Sequence, residues 1–471
     1  MELISATDLQ FNSRPVMEAW LGNNLIWGRG VIWTGLGLDN NWSNTSNWYE
    51  AKVPPTFSSI QFTGTTRLST YNDFSIDRPV NDITFNASSG SFQLSGNRFI
   101  LSTGGITNNS VNAQTINNDI KLSSGETYIN CNTGDITFNG LLSGSVSIVK
   151  TGNRKANISA ARTISTGSVT ISAGTLQFDN LTTNGGGDIV GPTPTIYNLS
   201  GNGASLNLNT NIFGSGNKIS FAGKTINFSS LGNQTVALTG NILCNNSTFK
   251  TNGGAKNYIT GPLASGTNYF NAQFSTITYN IADGTDEVDL EISAFMYFQK
   301  PMKTGTGKLS IVAPYATNIA GPLTISAGTF DVGGTCNFQT NFSNGDNTIN
   351  NNGTLSYSSS VNSNCSNHAI SGTGNLIKSG TSTVTLSADR CSYIGSTSIL
   401  NGSIVTTKNT ATATFTPTTL TINFSTPPNI GDTFRFFSGS TIQSYASVSL
   451  IGAPARTASY NSSISTLTID S

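Results

Sequence analysis

Side chains able to do chemistry are few in this chain, and they are scattered. The single histidine, His368, follows Cys365 in Ser363-Asn364-Cys365-Ser366-Asn367-His368. A thiolate–imidazole pair needs fixed geometry and an orienting third group. A polar, loop-like stretch offers neither, so no catalysis is expected there. Cys131, Cys244, Cys336, Cys365 and Cys391 are widely spaced and form no CxxC. With one histidine they make neither a disulfide framework nor a zinc set, and they read as small buried residues. The densest group of acids is Asp283-Gly284-Thr285-Asp286-Glu287-Val288-Asp289-Leu290-Glu291-Ile292. Glycoside cleavage would need two such carboxylates with different proton affinities, Asp286 and Glu291 being the choices, and calcium would need several converging oxygens. Alternation instead places Val288, Leu290 and Ile292 on one face and Glu287, Asp289 and Glu291 on the other, as a strand with an acidic outer stripe. The richest aromatic region holds Tyr269, Phe270, Phe274, Tyr279, Phe295, Tyr297 and Phe298. Among these, Tyr269, Phe270, Tyr279 and Tyr297 are candidates to stack on sugar rings, with core packing as the alternative. No G-x-S-x-G elbow, P-loop or H-E-x-x-H occurs, and Gly185-Gly186-Gly187-Asp188 follows no strand-to-helix pattern. We therefore expect no enzyme, no catalytic residue, no metal and no cofactor.

What must position these groups is a β framework. The chain has 471 residues, 10% of them charged, with 49 glycines; about 25% charged is usual. Apolar residues alternate with Ser, Thr and Asn over short runs that end at Gly or Asn-Gly, which predicts half-buried strands. Their β-branched, periodic placement argues against disorder. Lys plus Arg and Asp plus Glu both number 23. That balance leaves no basic field for nucleic acid, and no stretch is apolar enough to span a bilayer. The start, MELISATDLQFNSRPVMEAW, has no cationic segment followed by an apolar core, so no leader is expected.

Three stretches repeat one phrase, starting at Gly144, Gly305 and Gly372. Each closes on a glycine pair: Gly167 and Gly174, Gly321 and Gly328, Gly395 and Gly402. Between them run Val169 and Ile171, Leu323 and Ile325, Thr397 and Ile399, and then Leu176, Phe330 or Ile404 follows. Self-similarity at this scale predicts a stacked solenoid. All five tryptophans, Trp20, Trp27, Trp33, Trp42 and Trp48, fall in the first fifty residues, a boundary in composition. Pro15-Val16-Met17-Glu18-Ala19-Trp20 and Leu25-Ile26-Trp27 flank Leu21-Gly22-Asn23-Asn24, which predicts a hairpin closed by a Gly-Asn turn with Trp20 and Trp27 near each other across the ladder.

The repeats resemble the passenger-associated repeat of bacterial autotransporters. Lys150-Thr151-Gly152 and Lys378-Ser379-Gly380 match its K-x-G element, and Ser172-Ala173-Gly174-Thr175-Leu176 its closing phrase, while the second stretch shows no K-x-G. Trp33, Gly35, Asn41, Trp42, Asn47, Trp48, Pro54, Phe62, Gly64, Asn72, Asp73, Ile83 and Phe85 resemble the opening of the same β-helical passengers. The hairpin phrase Ala19-Trp20-Leu21-Gly22-Asn23-Asn24-Leu25-Ile26-Trp27 resembles a module of many tailed-bacteriophage virion proteins. That resemblance implies virion attachment through Trp20, Leu21, Gly22, Ile26 and Trp27.

The expected fold is all-β, a right-handed parallel β-helix. It has an attachment hairpin over residues 1–30, a Trp-rich cap over 31–80, repeats over 81–412 and a small β-sheet cap over 413–471. At ~22 residues per coil the repeats would make on the order of fifteen coils. The resemblances imply an appendage of a tailed-phage virion, a tail fibre or spike. It would contact other virion proteins, engage a host-surface glycan and assemble as a homo-oligomer, a trimer, with no nucleic acid and no membrane insertion. A bacterial surface adhesin and a β-helical polysaccharide-degrading enzyme are the alternatives.

Overall fold

The computed structural model describes most residues from Val31 to Ser471 and, for residues 10–30, backbone strands alone; residues 1–9, 179–188, 191–195, 210–218, 221–224, 262–269, 338–347, 438–444 and shorter breaks lie outside the description. The chain divides into two compact units, Met1–Asn211 and Ile212–Ser471. Both are built from short parallel strands, and the coils add up to about 11 turns of β-solenoid. Coil length is uneven. Bonds between neighbouring coils commonly span 21 to 23 residues, as from Ser110 to Ser89 and from Asn132 to Asn109, but they span 30 or 31 where Lys256 meets Asp286 and Thr285 meets Gly254.

In the first unit, one face of the coils stacks Ser58–Phe62, Arg78–Phe85, Gly105–Asn108, Glu126–Cys131, Ser147–Thr151 and Ser168–Ile171. A second stacks Ser69–Asn72, Gln93–Gly96, Gln114–Ile116, Ile136–Phe138, Lys155–Ile158 and Thr175–Phe178. A third includes Phe99–Leu101, Ile120–Leu122 and Leu142–Gly144. Parallel in-register stacking aligns like with like. Ile60, Ile83, Ile106 and Ile129 form one buried column, each worth about 1.5–3 kcal/mol of burial. The alternating residues of the three repeats lie in such columns: Val169, Ile171, Leu323, Ile325, Thr397 and Ile399 are all buried, as are Leu176, Phe330 and Ile404.

An open solenoid end exposes unpaired strand edges. Residues 34–48 cover both edges at the start of the first unit. Tyr71 N–H donates to Asn40 O and accepts Trp42 N–H on its own carbonyl, at 2.8 and 2.9 Å. Thr34 and Gly35 N–H both donate to Asn47 O. Trp33, Trp42 and Trp48 are buried. Trp48 meets Trp33 edge-on at 5.1 Å and Trp42 at 6.1 Å. Two of the polar ends are used as well: Trp42 Nε1 donates to Thr70 Oγ1 at 3.0 Å and Trp48 Nε1 to Trp42 O at 2.7 Å, while Trp33 Nε1 is buried without a partner.

Ahead of this cap, Glu18–Leu21 and Asn24–Gly28 pair antiparallel, the hairpin expected from the sequence. A register shift between Ala19 and Trp20 sets Ala19 opposite Trp27 and Trp20 opposite Leu25. Trp20 and Trp27 thus lie on paired strands without being direct partners.

In the second unit, stacked strands include Thr248–Thr251, Thr276–Asn280, Lys300–Thr304 and Leu323–Ile325. Another stack includes Leu290–Ile292, Lys308–Ile311, Thr329–Val332, Thr354–Tyr357, Asn375–Lys378 and Thr397–Ile399. After Ser403–Lys408 the chain reverses into Ala411–Phe415 and Thr419–Phe424, paired antiparallel, and Thr433–Arg435, Thr466–Ile469 and Ala458–Asn461 form a further small sheet. Leu420, Ile422, Phe424, Phe434 and Phe436 are buried, and Phe415 packs on Phe436 and Phe437.

Candidate functional site

Among the described residues, the most organised polar chemistry is a lysine buried at a coil bend, and it occurs three times. Lys150, Lys303 and Lys378 are fully buried. Each stands in an apolar column. Lys150 lies between Ile129 and Ile171, Lys303 between Tyr279 and Ile325, and Lys378 between Tyr357 and Ile399. The methylene stem packs as an aliphatic residue would, and the ammonium emerges at the bend. Lys150 Nζ donates to Thr151 O at 2.6 Å, Gly152 O at 2.8 Å and Ala173 O at 3.2 Å. Lys303 Nζ donates to Thr304 O and Gly305 O, both at 2.8 Å, and to Ala327 O at 3.3 Å. Lys378 Nζ donates to Gly380 O. An ammonium has three donors, and in the first two cages three carbonyls meet them. The third carbonyl belongs to the next coil, so the side chain ties two coils together.

This geometry accounts for the K-x-G element and for the second glycine of each closing pair. Gly174, Gly328 and Gly402 all have left-handed φ, +64, +65 and +69°. A Cβ on Gly174 would lie 2.6 Å from Gly152 O, and one on Gly402 would lie 2.4 Å from Gly380 O and 2.8 Å from Lys378 Nζ. Only glycine leaves room over the cage. The second repeat, in contrast to the expectation, carries the element too: Lys303-Thr304-Gly305, which ends on the Gly305 that opens its phrase. Burial pulls the Lys150 and Lys378 ammonium groups below their usual pKa and brings Lys303 down to about 8.

The acidic stretch is not an outer stripe. The strand starts only at Leu290, and Asp289 is buried in the bend before it. There its Oδ1 accepts Gly284 N–H at 2.6 Å and its Oδ2 accepts Lys308 N–H at 2.7 Å. Burial raises its pKa despite those bonds. Glu287 and Asp286 are exposed. Glu291 pairs with Lys256 Nζ at 2.9 Å, Glu287 with Lys308 Nζ at 3.1 Å, and Asp286 accepts Lys256 N–H. These carboxylates thus hold bends and coils together.

His368 is buried, not in an open loop, and burial with the nearby Arg390 charge lowers its pKa to about 4. Cys365 and Cys391 are buried free thiols pushed up to about 12, and Cys131 to about 11. Such thiols are poor nucleophiles. Cys365 Sγ lies 3.3 Å from Tyr357 Oη. Among the described residues no group of His, Cys, Asp and Glu could hold a metal ion.

Of the sugar-stacking candidates, Tyr279 is corrected. It is fully buried and stacks on Phe249 at 5.7 Å, because Ile277 and Tyr279 share the inward face of Thr276–Asn280. Phe270 and Tyr297 lie in the strands Phe270–Asn271 and Met296–Tyr297, which pair in register, but their side chains lie outside the description, as does Tyr269. Trp20, Leu21, Ile26 and Trp27 lie on the two hairpin strands, and Gly22 falls outside the described residues. The lysine cages escaped sequence reasoning, although lysine at an inward position of an alternating strand, two residues before glycine, was a usable signal. The chain matches no family model, no curated protein and no solved structure.

Proposed function

We propose that the chain is a structural and adhesive appendage protein of a tailed-bacteriophage virion, a tail fibre or spike exposed on the particle surface. A β-solenoid of this kind suits fibre, adhesin and polysaccharide-binding roles alike. The observation that carries the finer reading is the antiparallel hairpin Glu18–Leu21/Asn24–Gly28 placed directly ahead of a sealed solenoid end. The hairpin is the attachment module for other virion proteins, the coils are the shaft, and their hydroxyl- and amide-bearing surface engages a host glycan. Assembly is as a homo-oligomer, a trimer. A non-catalytic role is favoured because the acids that could cleave glycans, Asp286 and Glu291, are engaged by Lys256. The resemblance of the repeats to autotransporter passengers favours a bacterial surface adhesin as the second reading.

Mass spectrometry of purified particles, with cross-linking from residues 1–30, tests the proposal. Finding the chain in the virion with cross-links from the hairpin to another virion protein supports it. Finding it only in a bacterial envelope, as part of a precursor with a translocator barrel, replaces it with the adhesin reading.

A further inference from the structure

A cleft of about 140 Å³ opens on the first unit, lined by Val111, Ala113, Thr133, Gly134, Asp135 and Arg154. These residues come from three successive coils, at the bends leading into Gln114–Ile116, Ile136–Phe138 and Lys155–Ile158. The floor is fixed by hydrogen bonds. Asn108 Nδ2 donates to Asn112 O at 2.9 Å and to Asp135 O at 3.1 Å, and Asp135 Oδ1 accepts Lys155 N–H at 2.9 Å. Gly134 is buried in that floor, where a Cβ would come within 2.4 Å of Ser110 O. The site is therefore held in shape before any ligand arrives.

Its chemistry is mixed in a specific way. Val111, 78% exposed, and Ala113 offer an apolar patch. Asp135 supplies acceptors, Arg154 supplies donors, and Thr133 supplies a hydroxyl. The two charges cancel, so neither an anion nor a cation is favoured. A polyol with an apolar C–H face is favoured. Beyond the cleft, in-register stacking continues the surface as an uncharged column, Thr115, Thr137, Asn157 and Gln177. These residues repeat at ~4.8 Å, the spacing of paired strands, which is close to the advance of one pyranose in an extended glycan.

We propose that this cleft seats one pyranose ring of a neutral polysaccharide whose chain runs across successive coils, over Thr115, Thr137 and Asn157. The inference rests on the glycan-binding part of the function proposed above and assigns it a place and a substrate class. The ring lays its C–H face on Val111 and Ala113, while its hydroxyls donate to Asp135 and accept from Arg154.

The test uses the full chain and labelled dextran, mannan and galactan, with the anionic polymer alginate alongside, in affinity electrophoresis. At least one neutral polymer should bind, and R154A and V111D should each weaken that binding 10-fold or more. Both positions are exposed, so circular dichroism should show the fold unchanged. T107A, on the other stacked face, should bind as wild type does. The proposal is overturned if no neutral polymer binds, if alginate alone binds, or if R154A and V111D bind as well as wild type. None of these outcomes bears on whether the chain is found in the particle, so the two readings fail separately.

Discussion

Replacing Lys303 by methionine keeps an unbranched stem of similar length in the column between Tyr279 and Ile325 and removes the ammonium from its cage. Removal has two opposing effects. Thr304 O, Gly305 O and Ala327 O lose their donor, at about 1–3 kcal/mol for each carbonyl left dry, while the cost of burying a charge disappears. The pH dependence separates them. In the native chain Lys303 loses its proton near pH 8, against 10.5 in the unfolded chain. Between those values the unfolded state binds more protons, so wild-type stability rises with pH. From pH 7 to pH 10 the gain is roughly 2.5 kcal/mol, at about 1.4 kcal/mol per pH unit. K303M lacks this gain, and the cysteine titrations are common to both proteins. Urea unfolding followed by circular dichroism should therefore show K303M falling behind wild type by roughly 2.5 kcal/mol more at pH 10 than at pH 7. An equal gap at the two pH values would refute the reasoning, since it would mean that the carbonyls hold the proton on Lys303 as firmly as water does.

Further outcomes follow from the same geometry. Gly64 and Gly174 share a left-handed φ, but a Cβ on Gly64 meets nothing, whereas one on Gly174 lies 2.6 Å from both Arg154 O and Gly152 O. G64A should cost about 1 kcal/mol of conformational strain and G174A clearly more, measured by urea unfolding of the two variants; equal costs would show that the cage tolerates a methyl group. His368, with its pKa lowered from 6.5 to about 4, binds a proton in the unfolded chain before the native one. Stability should fall by about 3 kcal/mol as pH drops from 6.5 to 4, and H368N should remove most of that loss. W42F deletes the bond to Thr70 Oγ1 and part of the cap's buried surface. It should lower stability by about 1–3 kcal/mol, read by fluorescence of the remaining tryptophans.

The coils were legible because period-two alternation and stacked repetition leave the same mark at every turn. Val169, Ile171, Leu323 and Ile325 could be placed inward from parity alone. Parity would also have placed Tyr279 inward beside Ile277, and there aromatic enrichment outweighed the better signal. Asp289 was misplaced for the opposite reason. It obeys the alternation of its neighbours on paper but precedes the strand, and in a bend the backbone N–H groups of Gly284 and Lys308 decide where a carboxylate points. The cleft beside Thr115 and Thr137 could not be read at all, because it joins residues of three coils whose stacking is known only once register is fixed.

The lysine cages also bear on how a chain of near-identical coils finds its partners. Leu, Ile and Val columns are almost interchangeable, so a slip by one coil would cost little in apolar contact. A slipped Lys150 or Lys303 would keep the carbonyls of its own bend but lose Ala173 O or Ala327 O, its partner from the next coil. Each hydrogen bond lost from a buried charge costs about 1.5–3 kcal/mol. Lys150 and Lys303 thus act as addresses along a repetitive sequence, biasing the coils against a misaligned stack.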